Sequence, residues 1–393
     1  MDLRVADSDN HLYEVRDAYT RYIDPAFRDR TFRPVVGDDG VERLMIDGKE
    51  FPYHPNQYEL VPRPGGLRDV MRAISAGDLG NYYDEDARVP VEEAFVDRDA
   101  RVELLDLQGV EHTLLFGTTA ACVEHYFHHD IDLTYASLRA YNEWLLDDWG
   151  FAYKDRVFAA PCVSLLDPDR AVQELEWLLE RGVKLVYLRP GPAGHRSPAD
   201  PVFDPYWARM EEAGVLTACH SSESGYNEFF SVYWGEKPNV SSHDQSAFQW
   251  VNFFGDRPIM DTLSAFVLHN LFGRFPDLHV LTVENGSLWV PYLLKNMDKM
   301  KGMGRGGPWL GGEVKGRPSD IFKEHIWVAP FHEENITPLL DTIGPDRILF
   351  GSDFPHGEGL AEPREYAERL HDLPEDQVEA IMGGNLRGLL GIS

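Results

Sequence analysis

The sequence predicts an α/β protein, a (β/α)8 TIM barrel distorted by long insertions at its catalytic face. Short apolar runs recur along the chain, most of them separated by helical patterns, which is the alternation of a parallel sheet. There are eight such runs, the number that closes a barrel. The competing fold, an open doubly wound sheet, calls for a glycine-rich first turn. Here the first run leads into Asp7-Ser8-Asp9-Asn10-His11, which is nothing of that kind.

Taken in order, the first strand covers 3–6, and an amphipathic stretch at 91–107 leads into the second at 110–116. The third, 157–163, precedes a helix over 167–181, with Asp167 as N-cap, Pro168 in the first turn and Gly182 as stop. The fourth strand, 183–188, is followed by a helix at 205–213 that stops at Gly214, and the fifth, 215–219, ends at His220. A helix near 258–275 leads to the sixth strand, 278–283, ending at Glu284. The seventh, 326–329, is weak. The eighth, 347–350, is a buried apolar run that stops at Gly351-Ser352-Asp353. Helices at 363–370 and 375–382 finish the chain. One domain spanning 1–393 is therefore expected, with an insertion at 12–90 and lid-like segments at 221–257 and 301–324. Local strand is expected within the insertion, at 42–51. The 221–257 segment is rich in aromatic residues and the 301–324 segment in glycine. They suit lids over a site, surface packing, or contacts in a homo-oligomer, and the sequence leaves these open.

Composition narrows the function. The chain has 37 Lys plus Arg against 66 Asp plus Glu, a formal net charge of -29. Such a surface repels a phosphate backbone, which excludes nucleic acid as partner and leaves a small-molecule substrate. Cys122, Cys162 and Cys219 form neither a disulfide framework nor a Cys-x-x-Cys zinc site, and read as reduced cytosolic thiols. No apolar signal region or stretch of eighteen apolar residues is seen, so a soluble cytoplasmic protein without membrane contact is expected.

Catalytic residues of a barrel sit at the C-terminal ends of its strands. Four metal-competent side chains fall there. Asp9 and His11, two apart in an extended segment, project from one face. His220 closes the fifth strand and Asp353 the eighth. Two imidazoles and two carboxylates suit one divalent ion, Zn²⁺ first and Mn²⁺ or Fe²⁺ as alternatives, with a position open for water or substrate. Arg189 is a candidate for gripping a substrate carboxylate. His356 is a candidate lining residue, as are Tyr226 and Trp234 of the aromatic segment. The cluster His125-Tyr126-Phe127-His128-His129 reads as a solvated loop that could instead face the site, and His243 and Asp244 as weaker lid-borne acids. No nucleophile-elbow, P-loop or dinucleotide fingerprint is present.

On Asp7-Ser8-Asp9-Asn10-His11, His220, the 272–278 segment Phe-Gly-Arg-Phe-Pro-Asp-Leu and the 351–356 segment Gly-Ser-Asp-Phe-Pro-His, the chain resembles the amidohydrolase superfamily. Within it the likeness is to amidohydrolase family 2, the branch around aminocarboxymuconate semialdehyde decarboxylase, over nearly the whole length. That resemblance maps the family's first motif onto Asp9-x-His11, its strand-five histidine onto His220 and its strand-eight aspartate onto Asp353. It implies a single metal, because the fourth strand ends Leu188-Arg189-Pro190 and offers no bridging Lys or Glu. Decarboxylating relatives usually end strand six in histidine followed by glycines, whereas this chain has Glu284-Asn285-Gly286. Glu284 then reads as a proton shuttle or a partner of His220. The expectation is a metal-dependent hydrolase that uses a metal-activated water on a cyclic or conjugated carbonyl compound, with Asp353 as ligand and general base. The alternative is a non-oxidative decarboxylase of an aromatic or unsaturated acid, in which Asp353 protonates the carbon. A non-catalytic ligand-binding barrel is the third reading.

Overall fold

The structure is a computed structural model that describes residues 3–51, 58–67, 88–238 and 245–392. His243 and Asp244, like parts of the 12–90 and 221–257 segments, lie outside the described residues. The chain divides into two compact units. One comprises Met1–Ala120, Ala136–Ala160 and Leu349–Ser393, the other Ala121–Tyr135 and Pro161–Ile348.

In the first unit the long strand Val110–Gly117 is the hub. Val5–Asp7, His11–Leu12 and Val157–Ala159 all pair with it in parallel. Every residue of these strands is buried except Glu111, as continuous apolar runs in a parallel sheet require. Asp97 caps the helix Arg98–Gln108 by accepting from the amides of Asp99 and Ala100, both at 2.9 Å. The expected local strand around 42–51 is a meander of Arg33–Val36, Glu42–Ile46 and Lys49–Glu50. Glycine amides at 65 (3.2 Å) and the Leu67 amide (2.8 Å) bond the carbonyls of His356 and Gly357, so part of the insertion lies against the loop after Asp353.

The second unit is a five-stranded parallel sheet in chain order: Cys162–Val163, Leu185–Leu188, Leu216–His220, Val280–Val283 and Ile326–Val328. Helices Pro168–Leu179 and Asp204–Ala213 stand where the caps predict, the first on Asp167 and the second stopped by Gly214 in the left-handed region (φ 62°).

Several expected elements differ. The third strand is broken at Pro161, which has no N–H to give to a ladder, leaving Val157–Ala159 and Cys162–Val163. The eighth is no strand: Pro345–Arg347 is a 3-10 turn and only Ile348 bridges to Val328. Phe350 instead accepts from the Ser8 amide (2.8 Å) and donates to Ile381 (3.1 Å), single bonds rather than a ladder. The helix expected at 258–275 is two, Asp256–Leu268 and Leu271–Arg274, parted by Asn270 at φ 56°. The 301–324 segment is partly helical, since it completes Val290–Met303 and contains most of Pro318–His325. The 18-residue helix Ile131–Asp148 escapes the sequence reading. Its apolar Leu138, Tyr141, Trp144 and Leu145 are buried at helical spacing, and that signal was there to find. Among the described residues no helix is long and apolar enough to cross a membrane.

Candidate metal centre

Asp9, His11, Asp353 and His356 come together in the first unit. His11 pairs with Phe116 in the sheet, and its backbone carbonyl accepts from the guanidinium of Arg101 (2.8 Å), itself fully buried. The same arginine bonds Ala94 (2.6 Å) and the Asn10 side chain, so one cation anchors the motif from behind. Asp7 anchors the other side. It accepts from the Asp9 amide (3.1 Å), the Asn10 side chain (3.1 Å), the Ser352 amide (2.9 Å) and the Ser352 hydroxyl (2.5 Å). Total burial nevertheless pushes the Asp7 carboxyl up to about 7. The Asp353 amide donates to the Asp9 carbonyl (2.8 Å), which sets the two ligand-bearing loops in register.

His11 Nε2 lies 3.4 Å from Asp9 Oδ1 and 3.4 Å from Asp353 Oδ1. Two donors held at about 2.1 Å from one ion in tetrahedral array would be about 3.4 Å apart, so the set fits a divalent cation. All three residues are buried, and two carboxylates facing one imidazole out of water call for positive charge. Asp353 sits at φ 56°, an unfavourable conformation for a residue with a Cβ, of the kind that recurs at functional sites. His356 stacks on His11 with ring centroids 3.9 Å apart. Its Nδ1 lies 2.9 Å from Asp353 Oδ1, and its Nε2 lies 3.0 Å from the Thr118 hydroxyl.

In the second unit His220 and Glu284 meet. Their strands pair so that His220 is opposite Val283, and Asn285 ties the two tips by donating to the carbonyls of Cys219 (2.9 Å) and Val283 (2.7 Å). His220 Nδ1 donates to the Ser221 carbonyl (2.8 Å), which leaves Nε2 carrying the lone pair, 3.3 Å from Glu284 Oε2. Glu284 is also at positive φ, 52°.

The other candidates are engaged elsewhere. Arg189 holds Glu124 through two nitrogens (2.8 and 2.6 Å) and bonds the Pro192 carbonyl (3.0 Å). Tyr226 donates to Asp261 (2.9 Å), and Trp234 is 66% exposed, tilted over Phe248. Beside Arg189, burial holds the imidazole of His125 down to about 3. The sequence reading missed the supporting residues Asp7, Arg101, Thr118, Asn285 and Ser352. Asp7, Asn285 and Ser352 had a signal, being polar residues inside the motifs at the strand ends; Arg101 and Thr118 had none.

The chain is similar to several known proteins. The sequence model of a family described as "Amidohydrolase" matches residues 96–392. An amidohydrolase from Mycobacterium avium subsp. paratuberculosis K-10 is similar in structure, 35% identical over 100% of both chains with a TM-score of 0.87. The 5-carboxyvanillate decarboxylase of Sphingomonas paucimobilis is 18% identical over 100% of both chains, TM-score 0.63. A dihydroxybenzoic acid decarboxylase from Polaromonas sp. JS666, solved with bound manganese, is 16% identical over 99% of this chain and 97% of its own, TM-score 0.63. The fold class is the (β/α)8 barrel.

Proposed function

The chain belongs to the amidohydrolase family of enzymes, and from that premise we propose that it is a metal-dependent, non-oxidative decarboxylase of an aromatic or unsaturated carboxylic acid. Asp9, His11, His220 and Asp353 would hold one divalent cation. Manganese suits two carboxylates and two imidazoles as well as zinc does, and a decarboxylase of this fold was solved with it. When bound, the cation would grip the substrate's oxygens and draw off the negative charge that carbon acquires.

The chain's own residues supply the proton. The bond between carbon and carboxylate breaks, its electron pair stays on carbon, and carbon dioxide leaves. That carbon then takes a proton from the Asp353 carboxyl. His356 and Thr118 return a proton to Asp353 from the partly exposed side of the loop. This contact of Asp353 with His356 at 2.9 Å, beside a carboxylate-rich centre, is the observation that carries the reading. The Ser221 carbonyl orients His220 through Nδ1, and Glu284, 3.3 Å from Nε2, would be a further carboxylate beside the cation. Arg189, committed to Glu124, is left out of the reaction, and so are Tyr226 and Trp234. Hydrolysis is the second reading, favoured by Glu284 at the strand end where the family resemblance leads to an expected histidine in a decarboxylase.

The test is a panel of hydroxylated benzoates with the manganese-loaded enzyme in D2O. Carbon dioxide release with one deuterium at the vacated carbon is expected, and Asp353→Asn should lower kcat by roughly 10²–10⁴-fold. Incorporation of ¹⁸O from labelled water into product without carbon dioxide release would replace this reading by hydrolysis.

A further inference from the structure

The histidine cluster at 125–129 plays no part in the reaction above, yet it is not a solvated loop. Val123–Phe127 is a short helix, and His128 continues it with φ -55° and ψ -21°. His125 and His128 are therefore three apart on one helical face. His129 is exposed, its ring at 87° to that of His128. Facing the pair is a second short helix, Tyr226–Phe230, which carries Glu228.

One donor atom from each of His125, His128 and Glu228 lies within 4.8 Å of the others. The imidazole of His128 is already in the form a ligand needs. Its Nδ1 must donate to the His125 carbonyl at 2.6 Å, because a carbonyl can only accept. Nε2 then carries the lone pair, and it lies 3.8 Å from Glu228 Oε1. That gap is too long for a hydrogen bond but spans two ligands of one ion. A backbone carbonyl behind a ligating imidazole is the usual outer support of a metal-bound histidine.

The surroundings are built around these three groups. They line a concavity together with Arg189, Gly225 and Phe229. Gly225 has φ 77°, and a β-carbon there would sit 3.2 Å from the Phe229 ring and 3.7 Å from His125 Nδ1. Glycine thus lets the Glu228 helix approach the histidines. The charge of Arg189 is offset by Glu124, so the arginine does not exclude a cation.

We propose that His125, His128 and Glu228 form a second metal site, separate from the catalytic one, for a divalent transition ion of the zinc type. Two imidazoles and a carboxylate match zinc and its stand-in Co²⁺, and they disfavour Ca²⁺ and Mg²⁺, which take oxygen ligands. The remaining position takes water or an anionic group lying toward Arg189. The bound ion ties the segment after the Val110–Gly117 strand to the segment after Leu216–His220.

The experiment is Co²⁺ titration of the chelator-stripped full-length protein, following visible absorption, with zinc counted by elemental analysis after desalting. Wild type should take up two equivalents, His128→Ala one, His11→Ala one and the double variant none. Glu228→Gln, a milder change that spares the fold, should weaken the second equivalent by at least about tenfold. If His128→Ala and Glu228→Gln both keep the wild-type stoichiometry and affinity, the second site does not exist. A single wild-type equivalent lost in His11→Ala but kept in His128→Ala overturns this site and leaves the catalytic one. The reverse pattern sinks the catalytic assignment and upholds this one.

Discussion

Asp353 carries a proton in the proposed reaction only if something refills it, and His356 is the neighbour placed to do so. His356→Gln keeps a side chain that can bond Thr118 but cannot shuttle a proton. Its kcat should fall about 10²-fold with KM little changed, and the pH dependence of kcat should change shape. A loss confined to KM, read from steady-state kinetics, would make His356 a substrate contact instead. Behind the site, Ser352→Ala removes the 2.5 Å bond to the buried Asp7. About 1–3 kcal/mol of stability should go with it, measured by urea denaturation. The sequence shows the four ligand candidates because each is a polar residue ending an apolar run. It hides Arg101, which reads as one more charge on an amphipathic helix yet is fully buried beneath His11. It also makes Arg189 look free for substrate, because its partner Glu124 is 65 positions away.

At the level of elements, strands and capped helices were legible wherever local chemistry decides them, as at Asp167 or Gly214. Errors fall where a single residue overrides the pattern. Pro161 breaks an apolar run, Asn270 breaks a helix, and the 348–350 run spends its backbone on separate partners. A different pair of elements, the His325 end of Pro318–His325 and the start of Val280–Val283, makes a pH prediction. Burial lowers the pKa of His279 and of His325; the charges of His325 and Arg347 lower that of His279 further, and Arg347 also lowers that of His325. His325 stacks flat on Phe272 at 4.3 Å and bonds the Leu278 carbonyl (3.0 Å). An imidazole whose folded pKa is depressed contributes stability above the unfolded value, near 6.5, and loses it as pH falls below. The share of the urea midpoint that these histidines supply should therefore drop from pH 7.5 to pH 5.5, against the opposite trend of the raised Asp7 carboxyl, and His325→Gln should remove part of that drop even if it lowers stability at both. An unchanged slope would rule these histidines out as its source.

For the whole molecule, a cation that binds only the folded chain stabilises it by mass action, about 2.7 kcal/mol at a hundredfold excess over its Kd. Stripping the metal with a chelator should lower Tm by several degrees, and Mn²⁺ or Zn²⁺ should restore it in calorimetry. An acidic chain of net charge -29 should lose part of that drop in high salt, as repulsion among carboxylates is screened. The long-range bond from Asp7 to Ser352 joins residues 345 positions apart. During synthesis at roughly 5–20 residues per second, the opening strand waits about 20–70 s for that partner to leave the ribosome. Until then a carboxyl destined for the interior lacks its Ser352 donors. A message truncated anywhere before codon 352 yields a product that can never complete the pairing, and cellular proteolysis should clear it.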